Sequence, residues 1–162
     1  MEKLEKELET KWVLVDTNIL LKAARNPQGF LPIFEIIKKT KCQPVYCQLI
    51  RAEFLQSVWQ PELIKEMENF LTDLNIVDLP MKPFVKLTDE VMSMSRALRA
   101  RKKALPDLVD SYAAALVKQY SPNLILITEN HKHFAYNLKR FHIWPLDLSE
   151  EEIVTVGFYK NK

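Results

Sequence analysis

Oxygen-bearing side chains recur at four separated points of the sequence: Asp16, Glu53, Asp110 with Asp107 three residues before it, and Asn130 with Glu129 beside it. Carboxylates gathered in one place repel one another, so such a group weakens a fold until a cation neutralises it. Hard oxygen ligands with no accompanying His or Cys favour magnesium or manganese over zinc. Magnesium in particular takes a few carboxylates and completes its shell with water and substrate phosphate.

The elements around these residues decide whether they can meet. Trp12 to Val15 is apolar throughout, as in a strand covered on both faces of a parallel sheet, and Asp16 ends the run. In an open α/β sheet that is the place where ligand groups stand, outside the carboxyl end of a strand. Asp16 also reads as a simple cap or turn residue. Thr17 or Asn18 is expected to cap a helix carried by Ile19, Leu20, Leu21 and Ala23. Asn26 to Gly29 reads as a turn, Phe30 to Lys39 as a helix, and Pro44 to Tyr46 as a short strand. The next helix carries Leu49, Glu53, Phe54, Val58 and Trp59, with Glu53 one turn from Leu49 and facing inward with it. The alternative for Glu53 is to reach solvent, or to pair with Arg51 or a nearby Lys.

Pro61 opens an amphipathic helix with an apolar stripe from Leu63 to Leu74, and Ile76 to Leu79 reads as a short strand. Pro80 to Pro83 is a connection, and a helix opens at Leu87-Thr88-Asp89-Glu90. Arg96, Arg99, Arg101, Lys102 and Lys103 form the densest basic cluster. It reads as a solvated helix end, or as a set of phosphate contacts beside the acids. Pro106 stands at or near the first position of a helix from Asp107 to Tyr120, whose Ala113, Ala114 and Ala115 permit close packing on a sheet. Asp107 and Asp110 then share one helical face.

Leu124 to Ile127 is a second apolar strand, and Thr128-Glu129-Asn130 follows it as Asp16-Thr17-Asn18 follows the first. Both triplets are expected on one sheet edge. His131 and His133 read as surface histidines of a polar loop, or as groups that touch substrate or pass a proton. Ile143 to Leu148 reads as a last short strand and Glu150 to Lys162 as a tail. The domain layout read from the sequence is therefore a helical extension over 1–11, one α/β domain over 12–148, and a tail over 149–162.

Composition narrows the classes. With 48% hydrophobic and 27% charged residues, this is a soluble globular composition. Two glycines weigh against phosphate-binding loops and dinucleotide folds. A formal charge of +2 does not by itself announce a nucleic-acid binder, so the distribution of charge must carry that argument. Cys42 and Cys47 lack partners for a zinc set and read as reduced thiols of a cytoplasmic protein. The charged amino end, with Leu4 and Leu8 at helical spacing, is not a secretory signal, and no window reaches the roughly 18 apolar residues of a membrane span.

Taken together, Val15-Asp16-Thr17-Asn18-Ile19-Leu20, Ala52-Glu53, Asp110 to Ala115, and Thr128-Glu129-Asn130 followed by Phe134 resemble the PIN domain family, which includes the VapC-type toxins. The resemblance runs over most of the chain. It implies a three-layer α/β/α fold around a central parallel sheet and magnesium- or manganese-dependent ribonuclease activity. Asp16, Glu53 and Asp110 match the core acidic ligands, with Asn18 and Thr128 as supporting polar groups. Asn130 stands where the family commonly has Asp but also tolerates Asn, and Asp107 or Glu129 is a substitute for the fourth ligand. An RNA substrate, held in part by Arg99, Arg101, Lys102 and Lys103, an antitoxin partner and a homodimer are further implications.

The implied reaction is hydrolysis of an RNA phosphodiester by metal-activated water, in which the acids hold metal and are not the nucleophile. A second reading keeps the fold and drops catalysis, leaving an RNA- or protein-binding module with an incomplete metal site, for which Asn130 is the motive. A haloacid-dehalogenase-type phosphotransferase also begins with a strand-terminal Asp, but it needs a second Asp where Asn18 stands.

Overall fold

The computed structural model describes all residues except 80–83, 101, 102, 104, 150 and 151, and the side chains of 84–86 are not described either. Pro80 to Pro83, and Arg101 and Lys102 of the basic cluster, therefore lie outside the described residues.

The apolar run Trp12–Val15 is the strand β1, followed by α2 (Thr17–Arg25), α3 (Pro27–Lys39) and β2 (Gln43–Tyr46); a short helix α1 (Glu2–Leu8) precedes it. Next come α4 (Gln48–Leu55), α5 (Pro61–Asp73), β3 (Val77–Asp78), α6 (Phe84–Ala100) and α7 (Leu108–Gln119). The chain closes through β4 (Leu124–Thr128), α8 (His131–Phe134), β5 (Lys139–Asp147) and β6 (Ile153–Lys160). One sheet runs in the order β3-β2-β1-β4-β6-β5. Its first four strands are parallel, and β6 joins β4 and β5 antiparallel. This is a three-layer α/β/α arrangement around a central, mostly parallel sheet.

Strand order explains where a site can form. From β1 the chain moves outward to β2 and β3, then returns to lay β4 on the other side of β1. Such a reversal opens a crevice beyond the carboxyl ends of the two central strands. Here those ends are in register, with Val15 beside Ile127. Every residue of β4 and Val13 to Val15 of β1 are buried, as strands covered on both faces require. The buried Ala113-Ala114-Ala115 of α7 lets that helix pack closely on β4.

The structure corrects several expectations. Glu150 to Lys162 is not a tail: Ile153–Lys160 fills the gap between β4 and β5, and Val154, Val156, Phe158 and Tyr159 belong to the core. The acidic run before it hid a segment rich in β-branched and aromatic residues. The last expected short strand extends back to Lys139, because an edge strand tolerates Lys139, Arg140 and His142, and even Pro145, where an interior strand would not. The turn at Asn26 to Gly29 is a helix start, with Asn26 Oδ1 accepting from the Gly29 amide at 3.0 Å. The helix bearing Glu53 stops at Leu55, leaving Trp59 84% exposed. Helix α6 opens at Phe84, ahead of Leu87.

Left-handed backbone falls at Thr10, Lys41 and Asn75 instead of at a glycine. Gly157 is needed for a different reason. A Cβ there would lie 2.7 Å from the Tyr159 ring and 2.8 Å from His131, so only a glycine lets α8 settle on β6.

Candidate metal centre

The site is built outward from Asp16. Its backbone amide continues the ladder to Ile127, donating to the carbonyl at 3.1 Å, so the residue is held at the end of β1 beside β4. Asp16, and not Thr17 or Asn18, is the N-cap of α2: its Oδ1 accepts from the Thr17 amide at 2.8 Å. A carboxylate suits this place because it meets the positive end of the helix. Thr17, taken from sequence only as a cap, instead turns its hydroxyl to Glu53 and donates to Oε2, joining α2 to α4.

Asn18 and Thr128 fix the other oxygen of Asp16. The Asn18 amide donates to Asp16 Oδ2 at 2.7 Å and to Thr128 Oγ1 at 3.1 Å, while its Oδ1 accepts from the Glu129 amide at 3.2 Å. The Thr128 hydroxyl donates to Asp16 Oδ2 and accepts from the Asn130 amide at 2.9 Å. Both of Asn18's amide protons and both hydrogen-bonding roles of the Thr128 hydroxyl are thus in use.

Asp110 enters from the first turn of α7. Asp107, not Pro106, starts that helix, and as N-cap its Oδ1 accepts from the Asp110 amide at 2.8 Å. Asn130 donates from Nδ2 to Asp110 Oδ2 at 2.9 Å. His133 Nδ1 meets the same oxygen. A charge-assisted bond to a carboxylate outweighs a neutral one, so the Nδ1 proton points to Asp110 and not to Asn130, whose Nδ2 lies 2.8 Å from Nδ1.

Asp107, Asp110 and His133 form the one tight metal-ligating group among the described residues, their ligand atoms lying within 4.8 Å of one another. Asp16 and Glu53 stand outside that group but within electrostatic reach of Asp110. Burial pushes the Asp16 carboxyl up to about 7, and the Asp110 charge adds to the rise against the bonds from Thr128, Thr17 and Asn18. Burial also raises Asp110, reinforced by Asp107 and Glu53 and opposed by His133.

The remaining candidates divide. Glu129 turns its Oε2 to Lys22 at 2.7 Å, so it is engaged with a lysine instead of with the aspartates. Asn130 offers its amide nitrogen to the site, and its place is therefore to steady Asp110; serving as a ligand would require the amide to present Oδ1. Arg51 pairs with Glu68, not with Glu53. Of the basic cluster, Arg99 and Lys103 are exposed, and the Lys103 ammonium lies 5.3 Å from the centre of the Tyr136 ring. His131 is not a site group, since its Nδ1 bonds the Tyr159 hydroxyl at 2.9 Å.

His133 was not marked from sequence as a site residue. The signal was its three-residue spacing from Asn130, which puts both on one side of the short helix α8. Its presence also corrects the view that the acids have no accompanying histidine. The carboxylate oxygens of Asp107 and Asp110 suit a hard divalent cation such as magnesium or manganese.

Comparison with known proteins agrees with this geometry. No curated protein matches the chain in sequence. A chain of VapBC2 from Rickettsia felis, solved bound to a DNA fragment from their promoter, shares the fold with a TM-score of 0.58 and 21% identity. The similarity covers 78% of this chain and 92% of that one. The family model for the PIN domain matches residues 13–148, from β1 through β5, and a match of that extent shows that the chain belongs to the PIN domain family.

Proposed function

We propose that the protein is a ribonuclease that hydrolyses RNA phosphodiester bonds with the help of magnesium or manganese. The observation that carries this reading is the cluster of Asp107, Asp110 and His133, with Asp16 and Glu53 near enough for charge to be felt between Asp110 and each of them, in a fold whose sheet reverses its strand order at β1 and β4. Membership of the PIN family supports it. A buried acid raised to about 7 at such a crevice is stabilised by a proton or by a cation, and it marks a candidate functional group.

Asp16, Glu53, Asp110 and Asp107 would hold the ion. Bound there, it supplies an activated water and neutralises charge on the phosphate. The remaining side chains prepare the ligands: Asn18 and Thr128 orient Asp16, Thr17 orients Glu53, and Asn130 and His133 orient Asp110. Arg99 and Lys103, with Arg101 and Lys102, would contact phosphates of the RNA. Purified protein is expected to cleave some member of a broad RNA panel with manganese present, and Asp16→Asn to abolish the cleavage. No manganese-dependent cleavage of any RNA, by protein shown to be folded, overturns the reading.

The neutral Asn130 favours one alternative, a module that binds RNA or protein without cutting. Manganese titration by calorimetry separates the two, because a binding-only module loses little when Asp16→Asn is introduced.

The likeness to a chain of VapBC2 supports an antitoxin as partner and a toxin as the role, and a homodimer is proposed with them. Co-purification with a small protein encoded beside this one tests the first, and the molar mass in solution the second. The buried free thiols of Cys42 and Cys47 fit a reducing, cytoplasmic setting. No helix among the described residues is long and apolar enough to cross a membrane.

A further inference from the structure

Immediately behind the metal-ligating group lies a hollow of about 410 Å³, lined by Pro106, Lys132, His133, Ala135 and Tyr136. Its size falls within the roughly 300–1,000 Å³ of small-ligand pockets. His133, which lines the hollow, also meets Asp110 through Nδ1, so the hollow borders the site. Tyr136 also lines it, 41% exposed although it carries a large ring.

Tyr136 also borders a second hollow of about 350 Å³. Its backbone is tied down, with the carbonyl accepting from Lys162 Nζ at 2.6 Å. Lys103 hangs over the ring at 5.3 Å, and Lys132 is exposed on the near rim.

We propose that this hollow is a base-stacking subsite: one unpaired nucleobase next to the scissile phosphate packs on Tyr136 while Lys103 and Lys132 hold the phosphates on either side. The proposal rests on the ribonuclease reading and adds to it the group that seats the flanking nucleotide. An aromatic face beside ammonium groups suits a nucleotide, which presents a flat π-surface and an anion side by side. A fully apolar ligand would leave the lysines unmatched, and a free phosphate would leave the ring unused.

Stacking accepts any base, because every base has a π-face. The subsite therefore selects for an unpaired base and not for a particular one. A base held in a duplex cannot enter without first leaving its stack.

The test uses full-length Asp16→Asn protein, which binds without cutting, and short single-stranded RNAs with 2-aminopurine walked through each position. Stacking on Tyr136 is expected to quench the fluorophore at one position only. Tyr136→Phe is expected to retain the quench. Tyr136→Ala should lose it and bind on the order of tenfold more weakly, and an abasic residue at that position should weaken the parent equally. The same sequence in a duplex should bind without quenching.

A position-specific quench that survives in Tyr136→Ala overturns the proposal, as does failure of the parent to bind single-stranded RNA. The outcomes remain distinct from those of the nuclease reading. Protein with an intact Asp16 that quenches at one position yet cuts nothing sinks the nuclease and leaves the subsite standing. Manganese-dependent cutting with KM unchanged in Tyr136→Ala does the reverse.

Discussion

Asn18 and Thr128 spend all their hydrogen-bonding capacity on Asp16 and its surroundings, and that makes them sensitive positions although neither carries charge. Asn18→Ala or Thr128→Val is expected to lower manganese affinity by about 10–100-fold, the usual cost of removing a group that orients a ligand. Calorimetric titration measures this directly. Asp16 itself sets a pH dependence. Its carboxyl, raised to about 7 by burial, binds a proton more tightly folded than unfolded. Without metal, the fold therefore loses stability as pH rises from about 4 to about 7, by at most roughly 4 kcal/mol. Melting temperatures in chelator should fall across that window and flatten in Asp16→Asn, and manganese should restore more stability at pH 8 than at pH 5. An equal slope in both proteins would assign the effect elsewhere. Asp16, Asp107 and Asp110 could be singled out in the sequence because each stands at the end or start of an element whose type is evident, and Glu53 because its helical spacing puts it with Leu49. His133 could not, since its direction depends on where α8 rests, and α8 rests where Gly157 allows.

That dependence makes Gly157 the clearest test among the elements. It pairs with Thr128 across the β4–β6 ladder, and a methyl group on it would strike His131. Gly157→Ala is expected to destabilise by about 1–3 kcal/mol, as overpacking does, and to displace α8 with its Asn130 and His133. Chemical denaturation reports the first effect and manganese affinity the second. The central parallel strands were legible because β1 and β4 are apolar runs that end at polar groups, and β2 was read from its Pro44-Val45-Tyr46. The antiparallel half was harder to read. β6 is half a solvent-facing alternation, Ile153 out and Val154 in, before it turns wholly inward at Gly157, and that mixture matches neither simple strand pattern. The start of α7 was misjudged by one residue, because Pro106 and Asp107 are both good first-turn residues and only the bond from the Asp110 amide decides between them.

For the molecule as a whole, a net charge of +2 leaves any binding of polyanions to local basic groups, and Arg99 and Lys103 are both exposed. Binding of single-stranded RNA is expected to weaken steadily with salt, and Arg99→Ala to reduce the slope of log K against log salt by about 0.7, one phosphate contact on a single strand. A slope identical to the parent's would remove Arg99 from the interface. The sheet order carries one more consequence. Residues 153–160 lie centrally yet come late in the chain, so a polypeptide still being made has β4 open along one side and no seat for the short helix bearing His133. The crevice beyond β1 and β4 cannot be finished until that segment has emerged and threaded into its slot. Metal affinity, and with it the proposed nuclease activity, is therefore expected only after synthesis has passed Lys160.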